Sequence, residues 1–137
     1  MRIDEAVYTY LSGYAGLTAL VGKRIYPDIA PQQAIYPCLT YQMLSEEEVN
    51  TFTQPNSTMI GVVFSFSVWG STRASSKAAS EQLRLAFKNY SGVTGGVGGV
   101  TVSGVEKLGS ISDIDIDSDG KIIAYKTIMD FKIWYQE

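Results

Sequence analysis

Two periods of apolar and polar residues divide the chain. Near its start, Ile3, Ala6, Val7, Tyr10 and Leu11 recur at helical spacing, which predicts one stripe facing a core. After Gly13 and Gly16, the residues Leu17, Leu20 and Val21 predict a second short helical stretch, stopped by Gly22. Pro27, Pro31 and Pro37 then exclude a helix and favour an extended, irregular connection. In "CLTYQMLSEEE" the period changes to two, predicting a strand with Leu39, Tyr41 and Met43 on one face. The clearest strand runs from Met59 to Gly70. Ile60, Val62, Phe64, Phe66 and Val68 occupy one side, and Ser65 and Ser67 the other.

The stretch between these strands, "SEEEVNTFTQPNS", is too polar to pack well and too long for a tight turn. It predicts a loop that is mobile until a partner orders it. Its candidate contacts are Glu46, Glu47 and Glu48, which repel one another, with Phe52 as the anchor. Ser71 or Thr72 can cap a helix from about Arg73 to Tyr90, whose stripe is Ala79, Leu83, Ala86, Phe87 and Tyr90. Ala78 and Leu85, seven apart, lie off that stripe and are candidate inter-subunit residues. The glycines from Gly92 to Gly99 predict a flexible loop and lack the spacing of a nucleotide fingerprint.

Three strands follow: one at Val100 and Val102, one from Ile111 to Ser118, and one from Lys121 to Tyr135. The last carries Tyr125, Met129, Phe131, Ile133 and Tyr135 on one face. The order α-α-β-β-α-β-β-β predicts a single α+β domain over residues 1–137, an antiparallel sheet with helices packed on one face.

Composition narrows the chemistry. Apolar residues make up 45% and charged residues 18% of 137 residues, an ordinary globular balance. The net charge is -3 with no histidine, unlike the basic footprint of a protein that grips nucleic acid. A lone cysteine, Cys38, allows no internal disulfide. It sits in an apolar run and reads as a buried strand residue rather than a nucleophile, which would want a neighbouring base. The start carries two acids and does not read as a signal peptide. No run of about 18 apolar residues exists to span a membrane. The expectation is a cytoplasmic, non-enzymatic protein with no cofactor.

The stretch "DIDIDSDG", Asp113 to Gly120, is open to three readings. Asp115, Asp117, Asp119 and Gly120 match the first half of a calcium loop. The twelfth position, however, is Lys126 where a bidentate acid is needed, and the following residues read as a strand. An acid cluster on one strand face could hold a metal or share a proton, but no histidine is present to work beside it. The third reading is a strand with Ile114 and Ile116 inward and Asp113, Asp115 and Asp117 outward, turning at Asp119-Gly120 into the next strand.

At this point the sequence resembles a known family. "LTALVGKRIYPDIAPQQAIYPCLTYQMLS", from Leu17 to Ser45, is similar to the opening of the tail-completion, or tail-terminator, proteins of long-tailed bacteriophages. The residues Leu20, Val21, Gly22, Arg24, Ile25, Tyr26 and Pro27 carry the likeness. Phe64 to Phe87 resembles that family's strand into a serine-initiated helix, and "TIMDFKIWYQE" its last strand.

The resemblance implies an α+β subunit of a hexameric ring on the head-proximal end of the tail tube. Such a ring stops tube growth, permits head-tail joining and leaves a DNA passage. The implied partners are further copies of the chain, the major tail tube protein and a head connector or completion protein. DNA would be met only in transit, and no membrane is involved. The implied location is the virion tail, with the host cytoplasm during assembly. Joined to that reading, Asp113, Asp115 and Asp117 become candidate lumen-facing residues. Another head–tail connector or minor tail protein, and a calcium-dependent module on Asp115–Gly120, are the alternatives.

Overall fold

A computed structural model of the chain describes residues 2–31, 35–50, 58–95 and 99–136. Its elements are α1 (Ile3–Ser12), α2 (Ala15–Val21), β1 (Ile25–Pro27), β2 (Cys38–Asn50), β3 (Thr58–Gly70), α3 (Arg73–Phe87), β4 (Gly92–Thr94), β5 (Val100–Ile116) and β6 (Ile122–Gln136). The strands form one sheet in the order β1-β2-β3-β6-β5-β4. The short β1 runs parallel to β2, and the remaining pairs are antiparallel. This is the expected α+β fold, with helices gathered on one face.

Alternation places the core. Ile60, Val62, Phe64, Phe66 and Val68 of β3 and Met129, Phe131, Ile133 and Tyr135 of β6 are buried on the helix side. Ala6, Val7 and Leu11 of α1, Leu17 and Val21 of α2, and Ala79, Leu83, Ala86 and Phe87 of α3 pack onto them. Phe87 drives the end of α3 into the sheet, with its ring centroid 5.5 Å from Phe66 and 5.2 Å from Phe131. Such aromatic pairs add to the area they bury. Tyr10 of α1 closes the cluster. Its hydroxyl donates to the Ala86 carbonyl at 2.5 Å, and its ring lies 5.7 Å from Phe87.

The start of α3 is fixed by its sequence. Thr72 Oγ1 accepts from the Ser75 N–H at 3.1 Å while Ser75 Oγ accepts from the Thr72 N–H at 3.2 Å, a reciprocal cap. Behind it, Ser76 Oγ donates to the Val68 carbonyl at 3.3 Å and meets Thr127 Oγ1 at 3.1 Å. These bonds tie α3 to β3 and β6 and satisfy hydroxyls that would be costly to bury alone.

Several boundaries differ from the sequence reading. Cys38–Asn50 is one continuous strand, so Glu46, Glu47 and Glu48 belong to β2 and not to a loop; Phe52 lies outside the described residues. Residues 92–94 form β4 rather than loop. The two strands expected at Val100–Val102 and from Ile111 are one, β5, irregular between Val102 and Gly104 and between Lys107 and Gly109. Each irregularity adds a residue on β5 and breaks the visible alternation. β3 ends opposite Tyr125 at Gly70. Beyond that point the β5–β6 hairpin continues with two strands only.

Candidate functional site

The acidic hairpin is built by register. Asp113 pairs with Lys126 and Asp115 with Ala124, which places both aspartates on the face away from the helices. Asp117 departs from the expected common face. It follows the irregularity at Asp115/Ile116 and opens the turn. Its Oδ1 accepts from the N–H groups of Asp119 and Lys121, each at 2.9 Å. The Asp117 N–H donates to the Lys121 carbonyl at 2.9 Å, and the Gly120 N–H to the Asp117 carbonyl at 3.1 Å. Gly120 takes φ 80°, where a side chain would be strained. The connection is thus a three-residue loop, Ser118-Asp119-Gly120, and not the two-residue turn expected at Asp119-Gly120.

Ile114 and Ile116 lie on the helix side but are 46% and 58% exposed, so the expectation that they are buried is corrected. The start of α3 reaches only the base of the two-stranded stretch, where Arg73, Ser76 and Lys77 line a depression with Asp113 and Ile114 and Arg73 stacks on the Tyr125 ring. Ile122 and Ile123 are half-exposed beside them. The acids of Asp115–Gly120 do not converge as a cation loop would: one is committed to the turn, and no cluster of three acidic or metal-binding side chains occurs among the described residues.

The three glutamates are separated by the pleat. Glu46 and Glu48 pair with Val62 and Ile60 on the helix side, while Glu47 pairs with Gly61 on the other. Glu46 lines an open groove of about 540 Å³ with Arg2, Asp4, Thr101 and Gln136. Glu47 accepts from Lys132 Nζ at 2.7 Å.

Ala78 and Leu85 are both exposed on the outer side of α3, Leu85 at 40%. Around them stand Arg73, Lys77, Arg84 and Lys88. The one acid there, Glu81, receives both Arg84 donors at 3.0 and 2.5 Å. That hydrogen bond holds its carboxyl below the usual range. The sequence reading missed two cation–aromatic stacks on the sheet face opposite the helices. Lys126 Nζ lies 4.7 Å from the Trp69 centroid and Lys132 Nζ 4.4 Å from that of Trp134. Their signal was the Lys126, Lys132, Trp134 alternation on β6.

Comparison with known proteins gives the class first. The chain shares its fold with a chain of the virion of a native gene transfer agent (GTA) particle, over 98% of its own length and 95% of that chain's, at 19% identity and a TM-score of 0.69. By sequence, residues 5–102 match the model of the family "Tail completion protein gp17", and the chain belongs to that tail-completion family. No curated protein sequence matches it. It is a structural tail protein.

Proposed function

We propose that the chain forms a ring on the head-proximal end of the tail tube, ends tube growth and presents the surface to which the filled head joins. Membership of the tail-completion family carries this reading. The molecule's own surfaces support it, because its exposed features suit protein contacts: a bare two-stranded hairpin tip, an outer α3 face centred on Ala78 and Leu85, and a long β2 carrying Glu46, Glu47 and Glu48. The partners are further copies of the chain, the major tail tube protein and a head connector. DNA passes through without being held. Asp113 and Asp115, on the sheet face away from the helices, line part of that passage, while Asp117 serves the turn at its rim.

The test is negative-stain microscopy of particles made without this protein. Normal heads beside unjoined tails of abnormal length are expected. Normal joined virions would overturn the proposal.

A further inference from the structure

Both long edges of the sheet are bare over much of their length. β1 covers β2 only from Leu39 to Tyr41, and β4 covers β5 only from Val100 to Val102. Among the described residues, no strand lies on the outer side of β2 from Gln42 to Asn50 or of β5 from Ser103 to Ile116. Such an edge presents a row of unpaired N–H and C=O groups, a template for another strand.

The two bare stretches share one height. One row across the sheet runs Glu47, Gly61, Trp134, Gly104; a second runs Ser45, Val63, Lys132, Glu106; a third runs Gln42, Ser65, Asp130, Gly109. The rows from the first to the third are open at both ends. The steps β2–β3, β3–β6 and β6–β5 are all antiparallel, so β5 runs opposite to β2. A neighbour that continues the sheet therefore sets its β2 antiparallel to β5. A rotation with no step along the strands brings the two stretches together, and such a rotation closes a ring where a step would build a helix.

The side chains at these edges complement each other. Each edge carries an extra residue next to the row of Phe64 and Phe131: Leu44 on β2 and Leu108 on β5, 53% and 48% exposed. On the helix side of β2, Glu46 and Glu48 make no ion pair among the described residues, and Arg2 beside Glu46 is paired with Asp4 at 3.5 Å. On the same side of β5, Lys107 shares a depression with Arg84 and Lys88, and the acid near them, Glu81, is bound to Arg84. Across a joined edge, Lys107 falls opposite Met43 and diagonal to Glu46, within reach of a long side chain. On the other face Glu106 falls opposite Ser45, and Glu47 is already held by Lys132.

We infer that β5 of one copy pairs antiparallel with β2 of the next, from the row of Gly104 and Glu47 to the row of Gly109 and Gln42, so that the sheets join edge to edge around the ring. The contact uses two different edges and repeats head to tail. Backbone hydrogen bonds supply the adhesion. Leu108 against Leu44 and Lys107 against Glu46 select a second copy over a foreign strand. The inference rests on the ring reading and names the contact that builds the ring.

The test is a disulfide between copies. Ser45→Cys and Glu106→Cys are made in separate full-length chains, mixed and oxidised, both as purified protein and in assembled particles. Opposite residues of an antiparallel pair have Cα atoms about 4.5–5.5 Å apart, inside the limit of about 7 Å for a disulfide. Within one chain β3 and β6 stand between the two positions, so a link must join two copies. Native Cys38 is buried and stays out of the reaction. The mixed dimer is expected, and a chain carrying both changes should give a ladder of linked copies. In chains without added cysteines, Lys107→Glu and Glu46→Lys should each raise the concentration needed for half-assembly about tenfold, and the two together in one chain should restore it.

A ring of normal mass that forms no mixed disulfide overturns this contact and leaves the ring reading standing. Ser45→Cys chains that link to one another, or to a different virion protein, also overturn the pairing of β5 with β2. Charge variants that assemble like the parent overturn the pairing of Lys107 with Glu46 and the register built on it. Tails that carry no ring overturn both readings.

Discussion

Lys132 on β6 donates to Glu47 on β2 at 2.7 Å although β3 lies between the two strands. The bridge exists because the intervening position is Gly61. The Lys132 chain passes over it with its ammonium against the Trp134 ring, 4.4 Å from the centroid. A Cβ on residue 61 would come within 2.7 Å of Trp134 Cζ3 and 2.9 Å of Lys132 Cε. Gly61→Ala is therefore expected to cost about 1–3 kcal/mol through displaced packing. Glu47→Ala should cost only about 0.2–1 kcal/mol, since that carboxylate is largely exposed. Denaturant unfolding of the two variants checks the order; equal losses would mean that the ion pair, not the space, matters.

Gly70 and Thr72 give a second contrast, both at the β3–α3 corner. A Cβ at Gly70 would lie 2.6 Å from the Ser76 backbone nitrogen and 3.0 Å from its Cα. Backbone at a helix start cannot step aside as a side chain can. Gly70→Ala is expected to cost about 3 kcal/mol or more. Thr72→Ala removes one half of the reciprocal cap and should cost about 1 kcal/mol. Thermal unfolding should show a much larger drop for Gly70→Ala. A harmless alanine there would mean that the corner is looser than its contacts indicate.

The parts of this corner that sequence exposed are those with an uninterrupted period. β3 alternates without a break, and α3 holds its stripe from Ala79 to Phe87, so both were legible with their buried faces. The failures have local causes. Glu46, Glu47 and Glu48 looked like a solvated run, because nothing in the sequence says that the pleat puts Glu47 on Lys132 and its neighbours on the other face. Gly104 and Gly109 sit at the irregularities of β5 and made one strand look like two. Ile114 and Ile116 alternate as core residues do, but the sequence does not reveal that β3 stops at Gly70 and leaves them uncovered. Of the candidate residues, Ala78 and Leu85 were legible as a free face because the α3 stripe that excludes them is regular.

Alkaline pH should weaken the fold in two steps. Cys38 is fully buried and its thiol is pushed from 9.0 to about 11 by desolvation, against a smaller lowering from Arg24. Tyr10 is pushed from 10.0 to about 12, first by burial and then by Tyr90 and Tyr14. Both groups are neutral when protonated, and the folded chain holds the proton to higher pH than the unfolded chain. The stability they contribute is therefore complete below pH 9 and is lost as pH rises to about 11 for Cys38, and between about 10 and 12 for Tyr10. Melting temperature against pH should fall above pH 9. Cys38→Ala should remove the earlier part of the fall and Tyr10→Phe the later part. A thiol reagent should reach Cys38 only at the unfolding rate. Rapid labelling of the folded protein at neutral pH would contradict the burial on which this rests.

The last expectation concerns Asp113 and Asp115. A ring that DNA crosses must not hold it, and duplex DNA carries about one phosphate charge per 1.7 Å. A basic lining would collect those phosphates, whereas an acidic one keeps the duplex off the wall. The sheet face away from the helices is mixed: Lys126 stands opposite Asp113 but is drawn over the Trp69 ring, and Lys132 is committed to Glu47. Cations pinned in this way are poorly placed to reach a passing phosphate, which leaves Asp113 and Asp115 as the exposed charges of that stretch. Their ordinary alternative role is to keep the bare edge of β5 from pairing with other strands. Changing both to lysine separates the two. If they face the passage, joined particles should still form, and DNA release should become slow and recover as salt is raised, because counterion screening weakens phosphate binding. If they only guard the edge, the variant should aggregate no more than the parent, since lysine guards as well as aspartate, and release at low salt should be unchanged. Asp117→Asn should leave release unaffected in both cases and instead loosen the hairpin turn, because its Oδ1 closes that turn on the N–H groups of Asp119 and Lys121.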